Sequence, residues 1–321
     1  MPVDPFLVPL LAQLPPFPDH IDDFDAFRAA ENEAGAGLAR QLAEPGPEVA
    51  DVETVAIEVD GGAIDLKIYR PFGDGPFPAH LYLHGGGWIG GTIHSDILDI
   101  QARERCAGAD CVVVLAEYRK APEHQYPTGL NDSYAALEWI AAHADDIDVR
   151  RDVITIGGGS AGANLAAAVT LKARDECGPA IAMQLLEAPA LDLTLRSPSM
   201  ERFGTGYGLT AETVEKLLDY YLSSRDLSTH PYVSPLLAPD LSNLPPAHIM
   251  SSEYDPIRDD GERYAERLAE AGVSATFTEQ EGHIHISSAF TKVMASAREW
   301  RSEVIGVLRS VHEAALDRQA S

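Results

Sequence analysis

One pentapeptide constrains this chain more than any other feature: Gly158-Gly159-Ser160-Ala161-Gly162. An apolar run suited to a strand, Val153-Ile154-Thr155-Ile156, precedes it, and an alanine-rich run suited to a helix, Ala163 to Val169, follows it. A serine among small residues between strand and helix is the context a nucleophile elbow requires. So sharp a turn strains the backbone at the serine by about 1–3 kcal/mol. It also brings strand and helix too close for side chains at the flanking positions. The strain lifts the Ser160 hydroxyl clear of the sheet edge and leaves the Ala161 amide at a helix N-terminus, where negative charge is favoured.

The rest of the chain supplies the sheet such a turn needs. Residues 1 to about 45 are first proline-rich, then helical in pattern through Phe24, Phe27 and Leu38, and this apolar arm must lie against a core surface or a pocket mouth. From Val52 the period becomes two, and Asp60-Gly61 between alternating runs predicts a hairpin. Ala79 to Leu83 reads as a buried strand running into His84-Gly85-Gly86-Gly87-Trp88. A helix from about Ile97, a strand over Cys111 to Ala116, a loop over Tyr118 to His124, a helix from Asp132 to Ala142 and the elbow then follow. Strands alternating with helices predict an α/β fold with a mostly parallel sheet covered on both faces. The rhythm breaks after Leu186, where Thr210 reads as the N-cap of an amphipathic helix carrying Val214, Leu217, Leu218 and Tyr221. That helix has no strand partner and reads as part of a lid. Two further strands, Ala247 to Met250 and Ala275 to Thr278, are each followed by a loop and a helix, the second loop being Gly282 to His285.

Bulk properties exclude several classes. A formal charge of −26 over 321 residues argues against nucleic-acid or anionic-membrane partners, both of which need a basic face. The N-terminal apolar run has no basic flank and is broken by Pro9, Pro15, Pro16 and Pro18, so it is neither a signal peptide nor a membrane span. Three cysteines, Cys106, Cys111 and Cys177, form no C-x-x-C pair, which predicts no disulfide framework, no zinc site and a cytoplasmic location.

Serine hydrolysis needs a nucleophile, a base, an acid that orients the base, and amide donors for the oxyanion. In α/β-hydrolases the first three arrive in the order Ser, Asp or Glu, His, each just after a strand. This chain offers Ser160, then Asp255, then His285, with oxyanion donors among the glycines after His84. His283 lies two residues from His285 in the same loop, and local geometry alone does not choose between them. Asp259 is a rival acid, although it falls where a helix N-terminus attracts a carboxylate anyway. His84 reads as a structural residue holding the glycine loop, and Glu123, His124 and Asp132 as a polar network bracing nearby loops. Trp88 is either plain core or part of the substrate pocket.

With these motifs together the chain resembles the hormone-sensitive-lipase-like branch of the α/β-hydrolases, the bacterial family IV carboxylesterases. The carriers are H-G-G-G-W at His84 to Trp88, Y-R-K-A-P-E-H at Tyr118 to His124, G-G-S-A-G-A-N-L at Gly158 to Leu165, D-P-I-R-D at Asp255 to Asp259 and G-H-I-H at Gly282 to His285. The likeness runs from about Tyr69 to about Leu308. It implies a single α/β-hydrolase domain over residues 1–321, with a two-part cap from about 1–45 and about 195–232. It implies Ser160 as nucleophile, Asp255 as orienting acid and His285 as base, three residues after Gly282. Gly86 and Gly87 would join Ala161 as oxyanion donors. The implied reaction is hydrolysis of short to medium acyl esters through an acyl-enzyme, on a small-molecule ester with no metal or organic cofactor. A homodimer is compatible with the sequence, which sets no oligomeric state. Lactone or amide hydrolysis on the same triad is one alternative. The other is ligand binding without catalysis, as in the plant gibberellin receptors, which resemble this family but have lost the histidine. Three positions depart from the family pattern: Gly159 stands for the usual Asp, Ala163 for Gly, and His285-Ile286-Ser287 for H-G-F. They bear on local hydrogen bonding and on the substrate.

Overall fold

Helices α1 (Leu7–Leu11) and α2 (Phe24–Leu42) precede the sheet, and α2 is capped by Asp23, whose carboxylate accepts from the Ala26 amide at 3.0 Å. The computed structural model describes residues 2–285 and 287–320, with side chains to residue 315. The period-two run forms its hairpin: β1 (Asp51–Val59) and β2 (Gly62–Arg70) pair antiparallel, with Gly61 at φ 75° in the turn. Next come β3 (Phe77–Leu83), α3 (Asp96–Ala109), β4 (Val112–Ala116), α4 (Thr128–Ala142), β5 (Val149–Gly159), α5 (Ala161–Asp175) and β6 (Met183–Glu187). Helices α6 (Pro198–Phe203) and α7 (Ala211–Tyr221) interrupt the alternation, and Thr210 caps α7 by accepting from the Thr213 amide at 3.0 Å. The chain ends with β7 (Ala247–Tyr254), α8 (Arg258–Glu270), β8 (Ala275–Ile284) and α9 (Ala295–Ala320).

The eight strands form one sheet in the order β1-β2-β4-β3-β5-β6-β7-β8, parallel from β4 to β8. Its central strands are apolar throughout because both faces are covered. Period-two alternation still sorts their side chains. Leu81, Val114, Leu186 and Ile249 join the core cluster that includes Leu165 and Leu268, on the side of α5 and α8. Tyr82, Leu115, Leu185 and Met250 join Cys106 and Trp300, on the side of α3 and α9.

The chain steps outward from β3 to β4, then crosses back to place β5 on the other side of β3. The crevice at the carboxyl ends of β3 and β5 is therefore a topological switch point, where open α/β sheets bind ligands. The glycine loop after β3 and the serine after β5 both open into it.

Two boundaries differ from expectation. Helix α4 begins at Thr128 rather than Asp132; Gly129, within its added first turn, packs so near Tyr118 that a Cβ there would lie 3.2 Å from the Arg119 carbonyl. Strand β8 runs on to Ile284, because an irregularity after Ser252 lets Tyr254 pair with Ile284, so Gly282 and His283 are ladder residues rather than loop.

Candidate active site

Ser160 follows the last residue of β5 and holds φ 56°, ψ −120°, a left-handed conformation rare outside glycine. Close approach explains two of the motif glycines. A Cβ on Gly158 would lie 2.5 Å from the Gly162 carbonyl carbon, and one on Gly162 would run into the Leu83 carbonyl oxygen. Gly159 differs, since a Cβ there would meet only the Tyr82 hydroxyl at 3.7 Å and the Glu187 carbonyl at 4.0 Å, which is ordinary contact. Gly162→Ala is therefore expected to cost at least about 3 kcal/mol of stability, through backbone displacement, whereas Gly159→Ala should cost less than about 1 kcal/mol. Thermal unfolding of both variants checks this, and equal midpoints would remove the close-approach account.

His285 sits just past β8, with Nε2 2.8 Å from Ser160 Oγ and Nδ1 2.6 Å from Asp255 Oδ2. Asp255 is fully buried after β7, and its Oδ1 accepts from the Ile257 amide at 3.0 Å. Burial acts to lower the His285 pKa, but the charge and hydrogen bond of Asp255 outweigh it, and the pKa is raised above the usual imidazole value. Asp259 turns elsewhere: it accepts from the Ser199 amide at 2.9 Å and pairs with Arg258 in the first turn of α8.

His283 and His285 part company because the ladder ends between them. His283 stays in β8, fully buried, with Nδ1 2.8 Å from Ser287 Oγ and its ring 5.5 Å from that of Trp300. Burial pushes its pKa down to about 4, against a smaller opposing effect of Asp4. Ser287 Oγ also accepts from the Ile284 amide and donates to the Ile284 carbonyl, closing the turn that presents His285. Ile286 lies outside the described residues.

The glycine loop is built for backbone approach. Gly86 has φ 117° and Gly87 φ 59°, and the Gly86 carbonyl accepts from the amides of Ile89 (3.2 Å) and Gly90 (2.8 Å). His84 holds the loop: its Nδ1 lies 2.8 Å from the Gly85 carbonyl, its ring stacks 4.2 Å from Tyr118, and its carbonyl accepts from the Tyr118 hydroxyl. Burial, helped by Lys120 and opposed by Glu117, lowers its pKa to about 4, leaving the ring neutral near pH 7. Gly86, Gly87, Ser160 and His285 line a single cavity, and Ala161 opens α5 with its amide at the helix N-terminus.

Residues 80–288 match the model of a family described by the alpha/beta hydrolase fold. The chain belongs to the α/β-hydrolases, in the hormone-sensitive-lipase-like branch. The hydrolase is 35% identical over 320 residues to the carboxylesterase NlhH of Mycobacterium tuberculosis, covering 97% of each chain. It is 33% identical to an arylesterase of Saccharolobus solfataricus, over 89% of this chain and 92% of that one. A solved hyperthermophilic esterase from the archaeon Pyrobaculum calidifontis superposes with a TM-score of 0.90 at 35% identity, covering 98% of this chain and all of the other. These likenesses make the hydrolase an enzyme of the carboxylesterase group.

The hydrolase's cavity holds about 470 Å³. One side is apolar, lined by Phe17 and Phe27 from the N-terminal arm and by Leu209, Val214 and Leu217 in and just before α7. Trp88 is 4% exposed, stacks 4.6 Å from Tyr221 of α7, and lines the cavity. Leu217 rests directly on the glycine loop, where a Cβ on Gly87 would lie 2.6 Å from it. The expected polar network divides in two. Glu123 binds Arg28 of α2, which also donates to the carbonyls of Ile89 (2.8 Å) and Ala121 (2.9 Å). Buried Asp132 instead binds Arg119. Arg28 escaped the sequence reading because nothing in an amphipathic helix marks which arginine will reach across. Glu187, also lining the cavity, did leave a signal: a charge closing an apolar strand at its carboxyl end. Among the described residues, no three His, Cys, Asp or Glu side chains gather as a metal ion would require.

Proposed function

We propose that this carboxylesterase cleaves short to medium acyl esters through a Ser160–His285–Asp255 triad and an acyl-enzyme. The reading rests above all on the hydrogen-bonded line from Ser160 Oγ through both His285 nitrogens to Asp255. Ser160 Oγ attacks the ester carbonyl carbon while His285 Nε2 takes its proton, and Asp255 holds the imidazole with Nδ1 protonated. The amides of Gly86, Gly87 and Ala161 receive the oxyanion. Collapse of the tetrahedral intermediate breaks the ester C–O bond, and the imidazolium protonates the departing alcohol. Water, activated by the same nitrogen, then attacks the acyl-enzyme and releases the acid. This line, with its base in place, favours catalysis over ligand binding alone.

Residues 1–45 and 195–232 act in this reading as a two-part cap. Supporting it, the parts touch each other: the rings of Phe24 and Tyr220 lie 5.0 Å apart, and Lys216 pairs with Asp19 at 2.8 Å. The apolar side of the cavity, under the cap, sets the acyl preference in this reading. Each methylene that fits contributes about 0.8 kcal/mol of burial, until the chamber is full and the gain stops. In a 4-nitrophenyl ester series kcat/KM should peak at butyrate or hexanoate and exceed turnover of emulsified long-chain triglyceride. Faster hydrolysis of the emulsion would overturn the capped chamber. The reading extends to a cytoplasmic location, supported by Cys106, Cys111 and exposed Cys177 all being free thiols. Among the described residues, no helix is long and apolar enough to cross a membrane.

A further inference from the structure

The side of the cavity facing α3 and α9 is built from buried polar groups. Glu187 ends β6 beside the nucleophile: its carbonyl accepts from the Ser160 amide at 2.9 Å, and the residue, 6% exposed, is among those lining the cavity. One carboxylate oxygen pairs with Arg105 of α3, and the other accepts from Trp300 Nε1 of α9 at 2.8 Å. The Arg105 guanidinium lies 4.1 Å over the Tyr82 ring, and the Tyr82 hydroxyl donates to Gln101 Oε1 at 3.3 Å. Tyr82, Gln101 and Trp300 line the same cavity as Ser160 and His285. Gly159 adds no side chain at this point, leaving open the space between Ser160 and the Tyr82 hydroxyl.

Such a wall suits a plain alkyl chain poorly. An alkyl group pressed on it would strip water from a carboxylate and an amide and return no hydrogen bond, which is costly in a closed site. A carboxylate has about four acceptor positions, and Arg105 and Trp300 use two of those on Glu187. The Tyr82 hydroxyl interacts with the same carboxylate, and a position beyond these is left to a donor from the substrate. Because Arg105 neutralises Glu187, the wall selects a neutral hydrogen-bonding group over an ion. We propose that it is a subsite for a hydroxyl-bearing substituent of the ester, with Glu187 as the acceptor; the inference rests on the ester-hydrolase reading above. The hydroxyl has two sources, the acyl part or the alcohol part.

Two matched substrate pairs, followed by acid release at constant pH, distinguish the sources. Ethyl 3-hydroxybutanoate, as each enantiomer, against ethyl butanoate tests the acyl part; 2-hydroxyethyl against propyl butanoate tests the alcohol part. Each kcat/KM ratio is divided by the ratio of hydroxide-catalysed rates to remove intrinsic reactivity. The hydroxyl member should win at least tenfold in one pair. In the double variant Glu187→Leu/Arg105→Leu, which exchanges the buried pair for apolar side chains without orphaning either charge, that ratio should fall to one or below. Gln101→Leu, at a less buried position of α3, should lower it at least threefold and guards against misfolding of the double variant. A purely structural role for Glu187 would slow both members of a pair alike and leave the ratio unmoved. Brisk turnover with ratios at or below one in both pairs, or a tenfold preference that both variants retain, overturns the subsite. No turnover of any ester overturns the ester-hydrolase reading and the subsite with it.

Discussion

Ser160→Ala is expected to fold like the parent while losing ester turnover by about 10⁵–10⁶-fold. The serine is the attacking atom of the proposed reaction, and no binding or oxyanion contact replaces it. What remains is the enhancement from those contacts, about 10³–10⁴ over water. The fold should tolerate the change because the backbone strain at Ser160 is held by the glycines around it and by the β6 ladder, not by its hydroxyl. Steady-state hydrolysis of 4-nitrophenyl butyrate and labelling by a fluorophosphonate check the assignment. A variant labelled as strongly as the parent would remove Ser160 from the role. An unlabelled parent would favour the ligand-binding alternative.

The two histidines should separate as sharply. His285→Ala should lose at least about 10⁴-fold in kcat, the scale of losing a triad base. His283→Ala should keep most of its turnover but lose about 2–4 kcal/mol of stability, because a fully buried ring leaves a cavity behind. Activity against pH carries the same distinction. The base works only when neutral, and kcat/KM reports the titration of the free enzyme. Although burial alone would lower the His285 pKa, Asp255 raises it above the ordinary 6.5, so the proton is retained to higher pH. The acid limb should therefore rise with pH through a midpoint above 6.5 and then level. His283, near 4, would place the midpoint well below it. An active His285 variant, or a limb centred below 6.5, would move the base elsewhere.

Legibility in the sequence followed the range of the physics. The elbow is local: small residues, an apolar strand and an alanine-rich helix mark Ser160 as a candidate nucleophile, and the later motifs in the chain decide for it. Asp255, as the candidate acid, was legible from the order of strands, each candidate group following a carboxyl end. His285 needed more than spacing. Period-two reasoning puts it on the same side as His283, and only the end of the β8 ladder at Ile284 separates them. The polar wall as a whole was not legible, because Glu187, Arg105, Gln101 and Trp300 come from three elements scattered along the chain and meet only in the fold, on one side of the sheet. Glu123 and Asp132 are close in sequence yet serve different partners, Arg28 and Arg119. Proximity along the chain overstated their connection.

The seat of α7 on the glycine loop ties two operations together. Leu217 bears on Gly87, the Tyr221 ring lies flat against Trp88, and the Tyr221 carbonyl accepts from the Tyr126 amide at 3.0 Å. In the proposed reading, admitting an ester too large for the cavity would lift this helix and withdraw the Leu217 contact from Gly87, one of the proposed oxyanion donors. Widening the doorway therefore dismantles part of the machinery behind it. On that reading the penalty against bulky esters would fall on the rate of the bound complex as well as on its formation, so selection by size would be written into turnover itself.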